Sequence, residues 1–181
     1  MKFMTDSLVP QEDPVLHTAA EEVPEALFGT KELSDIIYRM TKALRAASVG
    51  VAIAAPQIGI PYRIFVVRGF VLEKHERNDL DVDVAFVNPV ITKHSRKKIP
   101  MEGEGCLSVP NIYGTVNRYE KTTVEAQDAK GKRFERGGSD LVSHIFQHEV
   151  DHLNGILFID NATDLKKTEP KLEETKEPRS P

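Results

Sequence analysis

The chain is poor in cysteine, in long apolar runs and in surplus charge of either sign, and each scarcity closes off a class of explanation. Its single cysteine, Cys106, cannot make an intramolecular disulfide, which points to a reducing compartment. No stretch approaches the ~20 apolar residues of a membrane helix. The opening MKFMTDSLVPQEDP lacks the apolar run of a signal peptide and carries too many acids for an organelle transit peptide. A net charge of −4, with acids and bases interspersed, gives no electrostatic reason for a DNA or RNA partner. No internal repeat is visible. These absences predict a cytoplasmic chain with no membrane and no direct nucleic-acid partner.

What is present suits an ordinary enzyme domain. At 181 residues, 40% hydrophobic and 29% charged, the chain can bury roughly two thirds of its unfolded surface. The first thirty residues, rich in proline and acids, read as an irregular arm. From Lys31 to Ser48, Leu33, Ile36, Ile37, Met40 and Leu44 recur at helical spacing, with Thr30 as N-cap and Gly50 beyond the end. YRIFVV at 62–67, VAFVNPVI at 84–91 and TTVEAQD at 122–128 read as strands, with LEKHERNDLD at 72–81 as a charged surface loop. DAKGKRF reads as a turn into a further strand. Ser139 caps a second helix running to about Asn154, with Gly155 as its C′ residue. The expectation is one α+β domain over residues 1–164, mainly antiparallel, followed by a charged, flexible tail over 165–181.

Within the second helix stands QHEVDHLNGILF, Gln147 to Phe158. His148 and His152 lie four apart, so both rings can meet one ion. Following their face backwards gives Ile145 and Leu141, both apolar, which points the pair at the core. Buried imidazoles and a carboxylate are costly unless paired, and a metal supplies that pairing. Glu149 then gains a role: a divalent ion lowers the pKa of its water, and the adjacent carboxylate can take the proton.

The third ligand is not given by the helix. One group of such hydrolases uses a histidine six residues past the second, but Phe158 stands there. Asp160 and Asp164 follow the helix almost at once, and Glu169, Glu173 and Glu174 lie in the tail. Cys106, in EGEGCLSVP, is flanked by glycines that permit close backbone approach. A thiolate with two imidazoles leaves a fourth position open, as a catalytic rather than structural site requires.

Three segments taken together resemble the polypeptide deformylase family: GVAIAAPQIG at 50–59, EGCLS at 104–108 and QHEVDH at 147–152. The resemblance runs from the helix before the first segment to GILFID after the last. It implies an α+β fold with the HExxH helix packed centrally between antiparallel sheets. The implied reaction removes the formyl group from the N-terminal formylmethionine of nascent polypeptides and releases formate. The implied cofactor is one divalent metal, Fe²⁺ in preference to Ni²⁺, Co²⁺ or Zn²⁺, held by Cys106, His148 and His152. The implied catalytic groups are Glu149, the Gln57 side-chain amide and the Leu107 backbone N–H, the last two donating to the developing oxyanion. The peptide would lie extended along Gly50, Val51, Ala52 and Gly105, with the methionine side chain in a pocket lined by Leu141, His144 and Ile145. The implied partners are formyl-Met-peptides, with transient ribosome contact, for a monomer or weak dimer.

Two residues depart from the family pattern. Ala52 replaces the second glycine of the first segment, and its methyl is expected to lower or alter activity. His144 is unusual in a pocket for an apolar side chain and is expected to turn toward solvent or a carboxylate. His17, His75 and His94 read as ordinary surface residues. Two other functions fit the same residues: an HExxH metallopeptidase, and a weakly active or non-catalytic homologue that binds nascent chains.

Overall fold

The computed structural model describes residues 7–47, 49–72 and 82–168. Helix α1 (Lys31–Ala46) is followed by strands β1 (Ala52–Ala54) and β2 (Ile64–Val67) and a single turn, α2 (Gly69–Leu72). Then come β3 (Val84–His94), β4 (Lys98–Cys106), β5 (Val109–Tyr119), β6 (Lys121–Gln127) and β7 (Arg133–Ser139), helix α3 (Asp140–Leu153) and β8 (Thr163–Lys167). One sheet has the order β1-β2-β3-β6-β7 and the other β4-β5-β8. Every pairing between these strands is antiparallel, giving the α+β, single-domain architecture that the sequence predicts.

Side chains alternate across a strand, and here both faces of β1 and β2 are covered. Ala52, Ala54, Phe65 and Val67 join Val142, Ile145, Phe146 and Leu153 of α3 in one apolar cluster. Ile53, Ile64 and Val66 join Leu33, Ile36, Met40 and Leu44 of α1 in another. The sheet therefore divides α1 from α3. Each fully buried Leu or Phe in these layers contributes about 1.5–3 kcal/mol. Thr30 caps α1 as expected, its Oγ1 accepting from Leu33 N at 3.3 Å.

Helix α3 ends as its sequence predicts and begins differently. Ser139 precedes it, but its hydroxyl bonds Asp140 Oδ2 and caps no helix amide. Gly155 follows Asn154 at φ +74°, and a β-carbon there would stand 2.8 Å from His17 C and Thr18 N. The N-terminal arm thus runs hard against the end of this helix. Ala20 N and Arg63 Nη1 both donate to Leu153 O, at 2.9 and 3.1 Å. The described part of the arm is irregular but well packed: Leu16, Ala20 and Val23 each enter a different apolar cluster.

Several boundaries differ from expectation. Strands β4 and β5, the longest hairpin in the fold, are absent from the sequence reading. Strand β8 reaches Lys167, three residues past the boundary expected at Asp164, because Ile112 and Tyr113 of β5 pair with Lys167 and Lys166. Leu141 lies 50% exposed rather than in the core. Most of the expected loop, 73–81, and the rest of the tail, 169–181, lie outside the described residues. Among the described residues no helix is long and apolar enough to cross a membrane.

Candidate metal centre

Helix α3 carries His144, His148 and His152 at intervals of four, so their rings climb one face, with successive centroids 6.4 and 5.0 Å apart. Cys106 closes β4 directly opposite. Its Sγ lies 3.1 Å from His152 Nε2, and ligand atoms of Cys106, His148 and His152 all lie within 4.8 Å of one another. Bonds of about 2.0–2.3 Å in tetrahedral array require neighbouring ligand atoms roughly 3.3–3.6 Å apart. The three atoms are therefore gathered almost as an ion needs them. Among the described residues neither competing candidate, Asp160 or Asp164, joins this cluster. Asp160 accepts from Leu157 N, Asp164 is exposed, and Phe158 stacks beside the His148 ring. Glu169, Glu173 and Glu174 lie outside the described residues.

A carboxylate decides how His148 is presented. Burial alone would raise the Glu104 carboxyl, but hydrogen bonds from His144, His148 and Arg118 outweigh it and hold the group far below the usual range. Ionised Glu104 can only accept, so His148 Nδ1, 2.7 Å from Oε1, carries a hydrogen, the tautomer in which the neutral ring offers its Nε2 lone pair to an ion. Arg118 forks onto the same carboxylate at 2.6 and 3.2 Å and reaches Asp151 at 2.5 Å. Glu104, His144 and His148 also gather closely enough to suggest a second ion. The Arg118 guanidinium already fills that carboxylate, and the 2.7 Å separations are those of hydrogen bonds.

The remaining groups are strained toward neutrality. Burial first, then the charge of Glu104, pushes the Glu149 carboxyl up to about 8, and its Oε2 is buried with no hydrogen-bond partner among the described residues. Burial pushes the Cys106 thiol up to about 12 and keeps His152 well below its ordinary value. A neutral imidazole is ready to ligate. The thiol and the carboxyl both hold protons that a nearby cation would displace. These residues fit a divalent ion: three donors converge, and an unpartnered carboxyl stands beside them.

A cavity of about 430 Å³ opens on the centre. It is lined by Gly50, Val51 and Ala52, by Gln57, by Gly105, Cys106 and Leu107, and by Leu141, His144, Ile145, His148 and Glu149. Of the residues expected to form the site, only His152 stays off its wall, buried behind Cys106. Gln57 is held by its oxygen, which accepts from Ala54 N at 2.8 Å, leaving its NH₂ directed at Ser108 Oγ and Cys106 Sγ, at 3.1 and 3.5 Å. Leu107 occupies the turn between β4 and β5. Gly105 is small for a local reason, since a β-carbon there would stand 2.8 Å from the Tyr113 ring. The Ala52 methyl packs on the α3 side of β1. His144 does turn to a carboxylate, with Nε2 2.7 Å from Glu104 Oε2.

Sequence reasoning gave no role to Glu104, Arg118 or Asp151. One signal was available: Gly114, Val116 and Arg118 alternate on β5, which puts a guanidinium on the buried side. Gln147 is explained by backbone pairing, accepting from Tyr119 N at 2.8 Å and donating to Tyr119 O at 2.9 Å. His17 bonds Gln11 O and His94 stacks on Tyr119, both outside the cavity, and His75 is outside the described residues.

Comparison with known proteins places this geometry among relatives. The family model for polypeptide deformylase matches residues 5–168. A peptide deformylase of Acidobacterium capsulatum is 38% identical over 165 residues, covering 91% of each chain. Peptide deformylase 1A, chloroplastic/mitochondrial, of Arabidopsis thaliana is 40% identical over 163 residues, which cover 84% of this chain and 60% of the plant protein. A crystal structure of class I type b peptide deformylase from Acinetobacter baumannii with Met-Ala-Ser bound superposes with a TM-score of 0.74 at 32% identity, covering 85% of this chain and 96% of that one.

Proposed function

The chain belongs to the polypeptide deformylase family, hydrolases that remove the N-formyl group from nascent polypeptides, and on that premise we propose how its residues divide the work. Cys106, His148 and His152 hold one divalent ion, Fe²⁺ by preference, with Ni²⁺, Co²⁺ or Zn²⁺ as substitutes. When bound, the ion supplies Lewis acidity, acidifying a water and drawing charge from the formyl oxygen. Glu149 takes the proton of the attacking water at its unpartnered Oε2 and returns it to the departing amine. The Gln57 NH₂, pinned through its own oxygen, and the Leu107 backbone N–H donate to the oxyanion, each worth about a hundredfold in rate. The observation that carries this reading is the convergence of one thiol and two imidazoles beside a buried carboxyl whose Oε2 has no hydrogen-bond partner among the described residues.

The substrate lies between two sheet edges. Strands β1 and β4 are both terminal in the sheets of the described residues, and Gly50–Ala52 and Gly105 both line the cavity. An extended peptide can pair with such edges through backbone groups alone, which suits an enzyme that reads one residue and tolerates the rest. The methionine side chain then enters between Leu141, His144 and Ile145. Helix α3 acts as the central element, packing on the first sheet through Ile145 and Phe146 and tied to β5 through Gln147 and Asp151. By analogy with the tripeptide seated in the Acinetobacter protein, formyl-Met-Ala-Ser is a suitable substrate.

Formate release from formyl-Met-Ala-Ser by iron- or nickel-loaded protein is the expected outcome, and no release from either would reject the reading. A metallopeptidase would instead cut casein and tolerate Cys106→Ser. A homologue that only binds nascent chains would hold the peptide equally well as wild type and as Glu149→Ala, with turnover in neither.

A further inference from the structure

We propose that His144, beyond lining the pocket, is a positioning residue that acts on the centre through Glu104. The inference rests on the ligand set just assigned. The Glu104 side chain is fully buried, and its two oxygens offer about four acceptor positions. Four N–H donors meet them. Oε1 takes Arg118 Nη2 and His148 Nδ1, and Oε2 takes Arg118 Nε and His144 Nε2. The carboxylate is therefore saturated, and each donor restrains its rotation. His144 and His148 share one face of α3 and lean on opposite oxygens of the same group. Removing His144 leaves an oxygen of a buried anion short of a donor and lets the carboxylate turn toward the partners that remain. Any such turn moves Oε1, and with it the His148 ring whose other nitrogen faces the ion.

This accounts for an imidazole in a wall meant for an apolar side chain. An aliphatic residue at 144 would suit methionine better and would leave Glu104 incompletely held. The polar atom is spent on the carboxylate, while the ring carbons remain to pack against substrate. The role needs a donor at the reach of Nε2, so glutamine, whose Nε2 has the same reach, can substitute and leucine cannot.

Cobalt-loaded wild type, His144→Gln and His144→Leu are compared by the rate at which a chelator strips the ion, by their visible absorption, and by kcat and KM for formyl-Met-Ala-Ser. His144→Leu is expected to lose cobalt about tenfold faster, to shift the ligand-field bands and to lower kcat about tenfold, with KM unchanged or reduced. His144→Gln is expected to lose cobalt within about threefold of the wild-type rate and to keep the wild-type ligand-field bands, whatever its new side chain does to substrate in the pocket. Equal retention and spectra for His144→Leu and wild type overturn the proposal, as does a His144→Gln protein that loses cobalt as fast as His144→Leu. A wild type with no thiolate-to-cobalt absorption overturns the ligand set itself, whereas a wild type with that band and an unaffected His144→Leu overturns only the role of His144.

Discussion

Glu104 and Glu149 are both buried beside the same centre, one on strand β4 and one on helix α3, and their surroundings are opposite. Glu104 is met by four N–H donors and stays ionised; Glu149 meets none at Oε2 among the described residues, and burial pushes its carboxyl up to about 8. The donors around Glu104 exhaust its capacity to react and make it a fixed anion that orients imidazoles. Without such donors Glu149 remains free to trade a proton near neutral pH, provided that a cation stands by. On the proposed reading, two residues of one type take two roles because their partners differ.

The largest effect that can break this contrast is on rate. Glu149→Gln should lower formate release about a thousandfold, roughly 4 kcal/mol in the barrier, while leaving metal content unchanged. Glu104→Gln should act the other way, on binding and stability. Removing the partner of buried Arg118 should cost about 3 kcal/mol in thermal or urea unfolding, and metal affinity should fall 10- to 100-fold. If both variants lost activity with metal content intact, the division of roles would be wrong.

Titration sharpens the same contrast. Because the Cys106 thiol is pushed up to about 12, uptake of the ion should release its proton, and in Glu149→Gln, which removes the second displaceable proton, apparent affinity should rise about tenfold per pH unit between pH 7 and 9. Isothermal titration in buffers of different ionisation enthalpy checks this. In metal-free protein, Glu149 holds a proton that the unfolded chain has lost between about pH 4.5 and 8. The folded state binds more protons there, so this group's contribution to stability declines as pH rises through that window. His152 works in the opposite sense below its ordinary value, since the unfolded chain takes the proton that the buried ring refuses. The Glu149→Gln variant isolates the first term: its melting temperature should gain on wild type from pH 5 to pH 8. Smallest of all, Ala52→Gly should change kcat/KM by less than about tenfold, because the methyl sits in the cluster beneath α3, where its loss relaxes packing rather than chemistry.

The helices and the candidate ligands on α3 were legible because they obey local rules. The apolar spacing of α1, the Thr30 cap, the Gly155 stop and the four-residue interval of the histidines are all written in short windows. The β4–β5 hairpin was not. KIPMEGEGC carries a proline and two glycines, and its ladder with β5 shifts register between Met101 and Glu104 and again between Gly105 and Cys106, so no period-two pattern survives. That same irregular strand delivers Cys106 and Glu104 to the centre. Leu141 misled for a related reason: helical spacing placed it on the histidine face, and that face runs from core to open cavity within one turn. The anion that orders His148 lies 44 residues away from it in the chain, in a pairing that only the tertiary fold creates.

X-ray absorption on zinc-loaded protein tests the ligand set most directly. The account predicts one sulfur at about 2.3 Å and two imidazole nitrogens at about 2.0–2.1 Å, with the sulfur shell lost in Cys106→Ser. A first shell of nitrogen and oxygen alone in the wild type would contradict it.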